Sequence, residues 1–173
     1  MHGELLYLFP GAKPGDWLLQ DDGAGPFIAA WRRAEPQPTA AQIAAAQLPA
    51  NKAALVAKIR TDANKVIGDA IGNFGNEYTK AKADSDAFKA ADYLGAVPSS
   101  VSSWATAKGW TAMQACDDIL LTASNFLGAE VALRANRLQR TEAAKACTTQ
   151  AQLDTVAAQW AGFVVAIRSS LGV

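Results

Sequence analysis

The stretch that decides the fold is Thr111–Cys147, with the sequence TAMQACDDILLTASNFLGAEVALRANRLQRTEAAKAC. Its apolar side chains recur at spacings of three and four residues, which is the period of one helix face. The predicted buried stripe consists of Met113, Cys116, Leu120, Ala123, Leu127, Val131, Ala135 and Leu138, widened by Ile119 and Phe126. Thr111 and Gln114 form a capping box at its start. The stretch therefore predicts one helix, roughly 50 Å long at 1.5 Å per residue.

Shorter helices are predicted on both sides of the long one. Thr39 with Gln42 forms a second capping box. Thr149 with Gln152 forms a third one. Pro49 is expected to end or kink the helix that contains it, because proline has no amide hydrogen to donate. The predicted helices are Ala40–Gln47, Asn51–Phe74, Glu77–Leu94, Val101–Ala107 and Ala151–Ser169.

Residues 4–33 differ from the rest and predict short strands, at Glu4–Phe9, Asp16–Asp21 and Phe27–Arg33. The segment between the last two, DGAGP, supplies the glycine and proline conformations of a hairpin loop. If Asp21 pairs with Phe27, then Leu19 lies opposite Ala29. The same register places Trp17 opposite Trp31.

Four large apolar side chains would then share one face of this ribbon: Trp17, Leu19, Phe27 and Trp31. Two or three short strands are not stable by themselves in water. The face must therefore be covered, either by the chain's own helices or by a partner protein, and the residues leave both alternatives open.

The segment Ala34–Pro38, AEPQP, is the clearest boundary, because its two prolines favour an extended spacer. We predict a β-ribbon at residues 1–35, a proline-rich linker with a short helix at 36–50, and a helical domain at 51–173. The predicted fold class is mainly α (α+β). A small N-terminal antiparallel β-ribbon precedes an α-helical bundle with one long helix.

Charge and hydropathy exclude several partners. Sixteen basic residues balance sixteen acidic ones, so neither nucleic acid nor an anionic membrane is expected to bind. No apolar run approaches the ~20 residues of a membrane span, and the N-terminus lacks the features of a signal peptide. We expect a soluble, unprocessed protein. Cys116 and Cys147 would lie more than roughly 40 Å apart on one helix, outside disulfide reach.

The residues offer no catalytic constellation. The single histidine is His2, at the terminus, and two cysteines with one histidine are too few for a usual zinc site. Adjacent Asp117 and Asp118 would point ~100° apart on a helix, so they would not converge on one substrate. A basic arc of Arg134, Arg137 and Arg140 is interpreted as a solvated, salt-bridged surface or as a contact with an acidic partner. We predict no enzyme, no cofactor and no metal.

Residues 16–46, DWLLQDDGAGPFIAAWRRAEPQPTAAQIAAA, combine a Leu-Gln-Asp-Asp-Gly-x-Gly-Pro segment, an aromatic two-strand unit, a tryptophan and Pro-x-Pro-Thr before a helix. This arrangement resembles the start of tail fibre assembly proteins of tailed bacteriophages. The matching residues are Gln20, Asp21, Asp22, Gly23, Gly25, Pro26, Trp31, Pro36, Pro38 and Thr39. Arg32 departs from the asparagine expected after the tryptophan. The helical remainder is more loosely similar to the C-terminal domain of such proteins, at Ile59-Arg60, Trp104 and Leu153-Asp154.

The resemblance implies a chaperone without catalysis that binds a phage tail fibre or another tail protein and promotes its folding or attachment. The partner-binding residues are then expected to be Trp17, Leu19, Asp21, Asp22, Phe27 and Trp31. The chaperone is expected in the host cytoplasm during assembly. The alternative is a structural component of the tail or baseplate that stays in the virion. A homo-oligomer through the long helix is left open.

Overall fold

The computed structural model describes residues 1–173 and contains six α-helices and one two-stranded antiparallel sheet. The elements are α1 His2–Leu8, β1 Trp17–Asp21, β2 Pro26–Trp31, α2 Ala40–Ile71, α3 Gly75–Ala90, α4 Ser99–Lys108, α5 Ala112–Ala146 and α6 Gln150–Leu171. The predicted fold class, mainly α with a small N-terminal ribbon, is confirmed. None of the helices combines the length and the apolar composition that crossing a membrane requires.

The three predicted capping boxes are confirmed by their hydrogen bonds. At the start of α5, the amide of Gln114 donates to Thr111 Oγ1 at 3.2 Å, and the amide of Thr111 donates to Gln114 Oε1 at 3.0 Å. The same reciprocal pair, Thr39 with Gln42, opens α2. The pair of Thr149 and Gln152 opens α6. These boxes depend only on residues three apart, which is why the sequence identifies them.

α5 is one helix of 35 residues, as predicted, but its buried face differs from the predicted stripe. Leu127 and Val131 are 57% and 62% exposed, whereas Leu133 is 4% exposed. The predicted stripe advanced by fours from Ala123 to Ala135, and each such step turns ~40° around a helix of 3.6 residues per turn. Buried and half-buried side chains instead recur at alternating steps of three and four, at Cys116, Ile119, Ala123, Phe126, Glu130 and Leu133, with Ala115 and Ala129 buried beside them.

The predicted strand Glu4–Phe9 is wrong, because these residues belong largely to α1. A short apolar run does not by itself distinguish a strand from a buried helical turn. Here the terminal ammonium of Met1 lies 2.7 Å from the Glu4 carboxylate and stabilises the first turn. Leu5 is fully buried, and its carbonyl accepts the amide of Phe9 at 2.9 Å.

Of the two alternatives predicted at Pro49, the helix end is wrong, and the kink stays a prediction. Pro49 lies inside α2, which joins the predicted helices Ala40–Gln47 and Asn51–Phe74. An internal proline costs a helix ~3 kcal/mol or more. Ala46 and Ala50, on either side of it, are buried, and the tertiary packing of α2 as a whole acts against that cost.

The hairpin register is partly as predicted. Trp17 pairs with Trp31, but a bulge between Leu18 and Leu19 shifts the remaining pairs by one residue. Leu19 therefore pairs with Ile28 instead of Ala29, and Asp21 with Pro26 instead of Phe27. Phe27 lies opposite Gln20. Because paired residues share a face, Phe27 is on the other side of the ribbon from the tryptophans, which corrects the predicted four-residue face.

The chain forms two compact units. The first contains Met1–Arg60 and Gln139–Gln159, which are linked by a hydrogen bond from Lys52 Nζ to the carbonyl of Cys147 at 2.7 Å. The second contains Thr61–Leu138 and Trp160–Val173. The predicted division into residues 1–35, 36–50 and 51–173 stays a prediction.

The second unit has a core of small and apolar side chains, Phe88, Val101, Ala105, Ala115 and Cys116. Ser85 is fully buried beside it, and its hydroxyl has no hydrogen-bond partner. The Cys116 thiol donates to the carbonyl of Ser85 at 3.3 Å, and burial raises the pKa of this thiol. Trp160, 1% exposed, donates its indole N–H to Asp62 at 2.9 Å.

Candidate partner-binding site

Four aromatic rings line up at the open end of the hairpin. Trp17 and Trp31 stack with their centroids 5.8 Å apart and their planes 11° from parallel. His2 contacts the outer side of Trp17 at 5.9 Å, and Phe9 contacts Trp31 at 5.1 Å. We call these four rings the aromatic ladder. Each such pair contributes about 0.5–1.5 kcal/mol beyond the area it buries, so the ladder fixes the hairpin to α1.

The polar atoms of both indoles are also used within the chain. Trp17 Nε1 donates to His2 Nδ1 at 3.3 Å, and Trp31 Nε1 donates to the carbonyl of Glu35 at 2.6 Å. Both tryptophans are half-buried. Of the two alternatives for this face, the structure therefore shows cover from the chain's own residues. A role of either tryptophan in binding a partner stays a prediction.

Arg33 connects the ends of the hairpin strands with Phe9 of the aromatic ladder. Its guanidinium lies 2.5 Å from Asp16 Oδ2, 2.8 Å from Glu35 Oε1 and 5.1 Å from the centroid of Phe9. The backbone amide of Lys13 and, after it, the guanidinium lower the pKa of Asp16. The guanidinium also lowers the pKa of Glu35. The sequence reasoning missed Arg33, although two carboxylates near the strand ends were a signal for it.

The two acidic residues of the hairpin loop shape the loop itself. Asp21 Oδ1 accepts the amides of Gly23 at 2.8 Å and Gly25 at 3.1 Å. Asp22 Oδ1 accepts the amide of Ala24 at 3.1 Å. Both glycines have positive φ, 96° and 112°, which other residues rarely adopt. Asp21 and Asp22 therefore have a structural reason to be present, and their predicted contact with a partner stays untested.

Two open grooves flank α1 and the hairpin. The loop groove, about 580 Å³, is lined by Met1, Glu4, Asp22, Ala24, Gly25, Pro26, Phe27, Ile43, Ala44 and Gln47. The turn groove, about 390 Å³, is lined by His2, Leu6, Ala12, Lys13, Pro14, Gly15, Trp17 and Leu19. The terminal ammonium lowers the pKa of Glu4 in the loop groove.

The structure divides the predicted partner-binding residues between these grooves. Trp17 and Leu19 line the turn groove, and Asp22 and Phe27 line the loop groove. Trp31 and Asp21 line neither of them. The six predicted residues therefore do not form one continuous surface.

The hairpin also presents an outer face and two outer edges. Leu18 and Phe27 lie on the face opposite the tryptophans and are 44% and 40% exposed. Apart from the β1–β2 ladder, the backbone hydrogen bond nearest to the strands is that from Arg32 to Asp16, just beyond their ends. The outer edges of β1 and β2 thus carry unpaired backbone groups, which can pair with another strand.

The adjacent carboxylates of Asp117 and Asp118 on α5 have different hydrogen-bond partners. Asp117 accepts hydrogen bonds from Lys89 and Tyr93, both at 2.7 Å, whereas Asp118 accepts one from Trp104 Nε1 at 2.9 Å. The Lys89 ammonium lowers the pKa of Asp117. The two carboxylates therefore serve different neighbours. No group of three or more His, Cys, Asp or Glu side chains comes together to hold a metal ion.

The predicted basic arc on α5 is paired only at one end. Arg140 donates to Gln159 Oε1 at 2.5 Å. Arg134 and Arg137 make no ion pair, and Glu130, one turn before Arg134, makes none either. The predicted salt-bridged surface is thus not formed within the chain at Glu130–Arg134.

Residues 2–55 match the XkdW protein family, which is phage-derived. The matched range contains α1, the hairpin and the first half of α2, and with them nearly every residue that lines the two grooves. The match supports a phage protein family, a coarser statement than the tail fibre assembly family that the sequence resembles. No curated protein and no solved structure matches the chain.

Proposed function

We propose that the protein is a phage tail fibre assembly chaperone that binds a tail fibre protein and promotes its folding or attachment, without catalysis. One observation carries this proposal. The part of the chain that matches a phage-derived family is also the part that holds both grooves, the exposed outer face and the unpaired strand edges. A binding surface and a phage relationship thus coincide in residues 2–55.

The mechanism we propose is addition of a strand from an incomplete fibre to an outer edge of the hairpin. Strand addition takes its affinity from main-chain hydrogen bonds and its specificity from alternate side chains. Leu18 and Phe27 offer apolar contacts on the outer face, while Leu19 and Trp17 offer them in the turn groove. The aromatic ladder holds the hairpin in one conformation before binding, which lowers the entropic cost of association.

The test is co-expression of the fibre protein with the wild-type chain and with a Leu18→Asp/Phe27→Asp variant. These side chains are exposed, so the variant is expected to fold, and circular dichroism checks this. We expect it to lose both copurification with the fibre and the gain in soluble fibre. Leu121→Asp is the matched control, since Leu121 is 60% exposed but lies outside the matched region. If the fibre protein is equally soluble with the wild type and with the double variant, the proposal is contradicted.

The second candidate is a structural component that stays in the virion tail or baseplate. The observation in its favour is a set of exposed apolar side chains on α5, at Leu121, Leu127, Val131 and Leu138, which suits permanent burial in an assembly. Mass spectrometry of purified particles separates the two candidates. Stoichiometric presence of the protein contradicts a purely transient chaperone, and its absence contradicts the structural component.

A further inference from the structure

α5 carries a second apolar stripe that nothing in the chain covers. Leu127, Val131 and Leu138 are 57%, 62% and 44% exposed. Together with the exposed Arg134, they follow steps of four, three and four residues, which places all four on one side of the helix. We call these four residues the bare stripe. Steps of this kind mark the contact positions between two long helices.

The two borders of the bare stripe differ from each other. On one border Glu130 and Arg137 lie seven residues apart, both half-buried and neither in an ion pair. On the other border stand Gly128 and Ala135, also seven residues apart. Small residues allow another helix to approach closely. A half-buried charge without a partner is unfavourable, so the charged border favours an occupant that supplies the complementary charges.

We propose that the bare stripe is the interface of a homodimer in which α5 of a second copy lies antiparallel to it. The two-fold axis passes between Val131 and Arg134. In such an isologous interface, if one residue contacts a second, the second contacts the first. Leu127 of each copy then packs against Leu138 of the other, and Val131 packs against the aliphatic stem of Arg134, whose charged end reaches water.

The charged border indicates both that the occupant is a second copy of the chain and that the two α5 helices run antiparallel. In the antiparallel register, Glu130 of each copy lies beside Arg137 of the other, so two ion pairs form. In a parallel two-fold pair, the border with Glu130 and Arg137 would instead face the partner's border with Gly128 and Ala135, so both charges would stay unpaired. The border is therefore complementary to a reversed copy of itself. The inference does not depend on the proposed chaperone function, which uses residues 2–55.

Sedimentation velocity of the full chain over a range of concentrations tests the proposal. We expect a monomer–dimer equilibrium for the wild type. Glu130→Arg and Arg137→Glu should each raise the dimer dissociation constant about tenfold, because each replaces two attractive contacts by two repulsive ones. An equimolar mixture of the two variants should recover the dimer, since one copy then carries two arginines and the other two glutamates.

The mixture is the decisive arm, because recovery requires that both variants are folded and that the partner is a second copy. Val131→Asp should abolish the dimer, while Val165→Asp, at a 69% exposed valine of α6, should leave it unchanged. A wild type that is monomeric at every concentration overturns the proposal. So does a dimer that neither charge reversal weakens, or a mixture that stays monomeric.

Discussion

The hairpin and α5 each carry a row of large apolar side chains, but only the row on the hairpin is covered by other residues of the chain. Trp17 and Trp31 stack on each other and are closed off by His2 and Phe9, with both indole N–H groups bonded. The bare stripe of α5 has no such cover, although its residues belong to the longest helix of the molecule.

The difference teaches that size and aromaticity do not identify a contact surface. The tryptophans are covered by residues close in sequence, from His2 to Glu35, which fold around them. Leu127 and Val131 lie on a helix whose other side is already buried, at Ala129 and Leu133. A row of apolar side chains is therefore available to a partner only where the chain itself does not pack against that face. On this basis the hairpin offers its outer face, and α5 offers the bare stripe.

The largest expected effect on the free energy of unfolding comes from a substitution in the covered row, at Trp31. Trp31→Ala removes two ring contacts and one hydrogen bond, and we expect it to lower the free energy of unfolding by about 2–3 kcal/mol. Urea denaturation followed by circular dichroism measures this change. A loss below about 0.5 kcal/mol, the range of ordinary surface substitutions, would show that the ladder is not packed as described.

A smaller effect on stability is expected from lowering the pH, through the carboxylates of Asp16 and Glu35 that bind Arg33 beside the aromatic ladder. The pKa of Asp16 and that of Glu35 are lowered from their ordinary values of 3.8 and 4.5. A carboxylate with a lowered folded-state pKa stabilises the fold above its ordinary value and loses that contribution as the pH falls through the lowered one. Unfolding monitored between neutral pH and pH 3 should therefore show a loss beginning near these values. Asp16→Asn should make this dependence shallower, and an unchanged pH profile would contradict the interactions of Asp16 with the Lys13 amide and with Arg33.

An effect of opposite sign is expected inside the second unit. Ser85→Ala removes a buried hydroxyl that has no hydrogen-bond partner and leaves a methyl group of similar size. We expect the free energy of unfolding to rise by about 1 kcal/mol, because the unsatisfied group is no longer desolvated. Thermal unfolding of the two proteins measures the change. Ser85→Gly is the control, which should destabilise the helix instead.

The smallest expected effect belongs to the bare stripe. Leu127→Gln should change the free energy of unfolding of the monomer by no more than about 0.5 kcal/mol, since the side chain is already exposed. The measurement is urea denaturation at the lowest protein concentration that gives a signal. A loss as large as that of Trp31→Ala would place Leu127 in the core and remove the contrast between the two rows.

The sequence predicts the parts of this fold that depend on near neighbours. Capping pairs three residues apart, the long helix α5 and the Trp17–Trp31 pair all follow from local patterns. Pro49 inside α2, the helical α1 and the bulge beyond Leu18 do not, because the local pattern at each of them fits more than one backbone conformation. The prediction of the buried side of α5 is wrong for the same reason. Leucine and valine fit either face of a helix, and both faces of α5 show steps of three and four residues, so the pattern alone does not distinguish the buried face from the exposed one.

Hydrogen exchange, followed by mass spectrometry with and without the tail fibre protein, tests most directly whether the two surfaces serve different partners. Adding the fibre protein should slow exchange in residues 17–31, where a new strand pairs with the hairpin, and leave residues 127–138 unchanged. Exchange in residues 127–138 should instead slow as the concentration of the protein itself rises. Slowing by the fibre protein at 127–138 and none at 17–31 would contradict this assignment of the two surfaces.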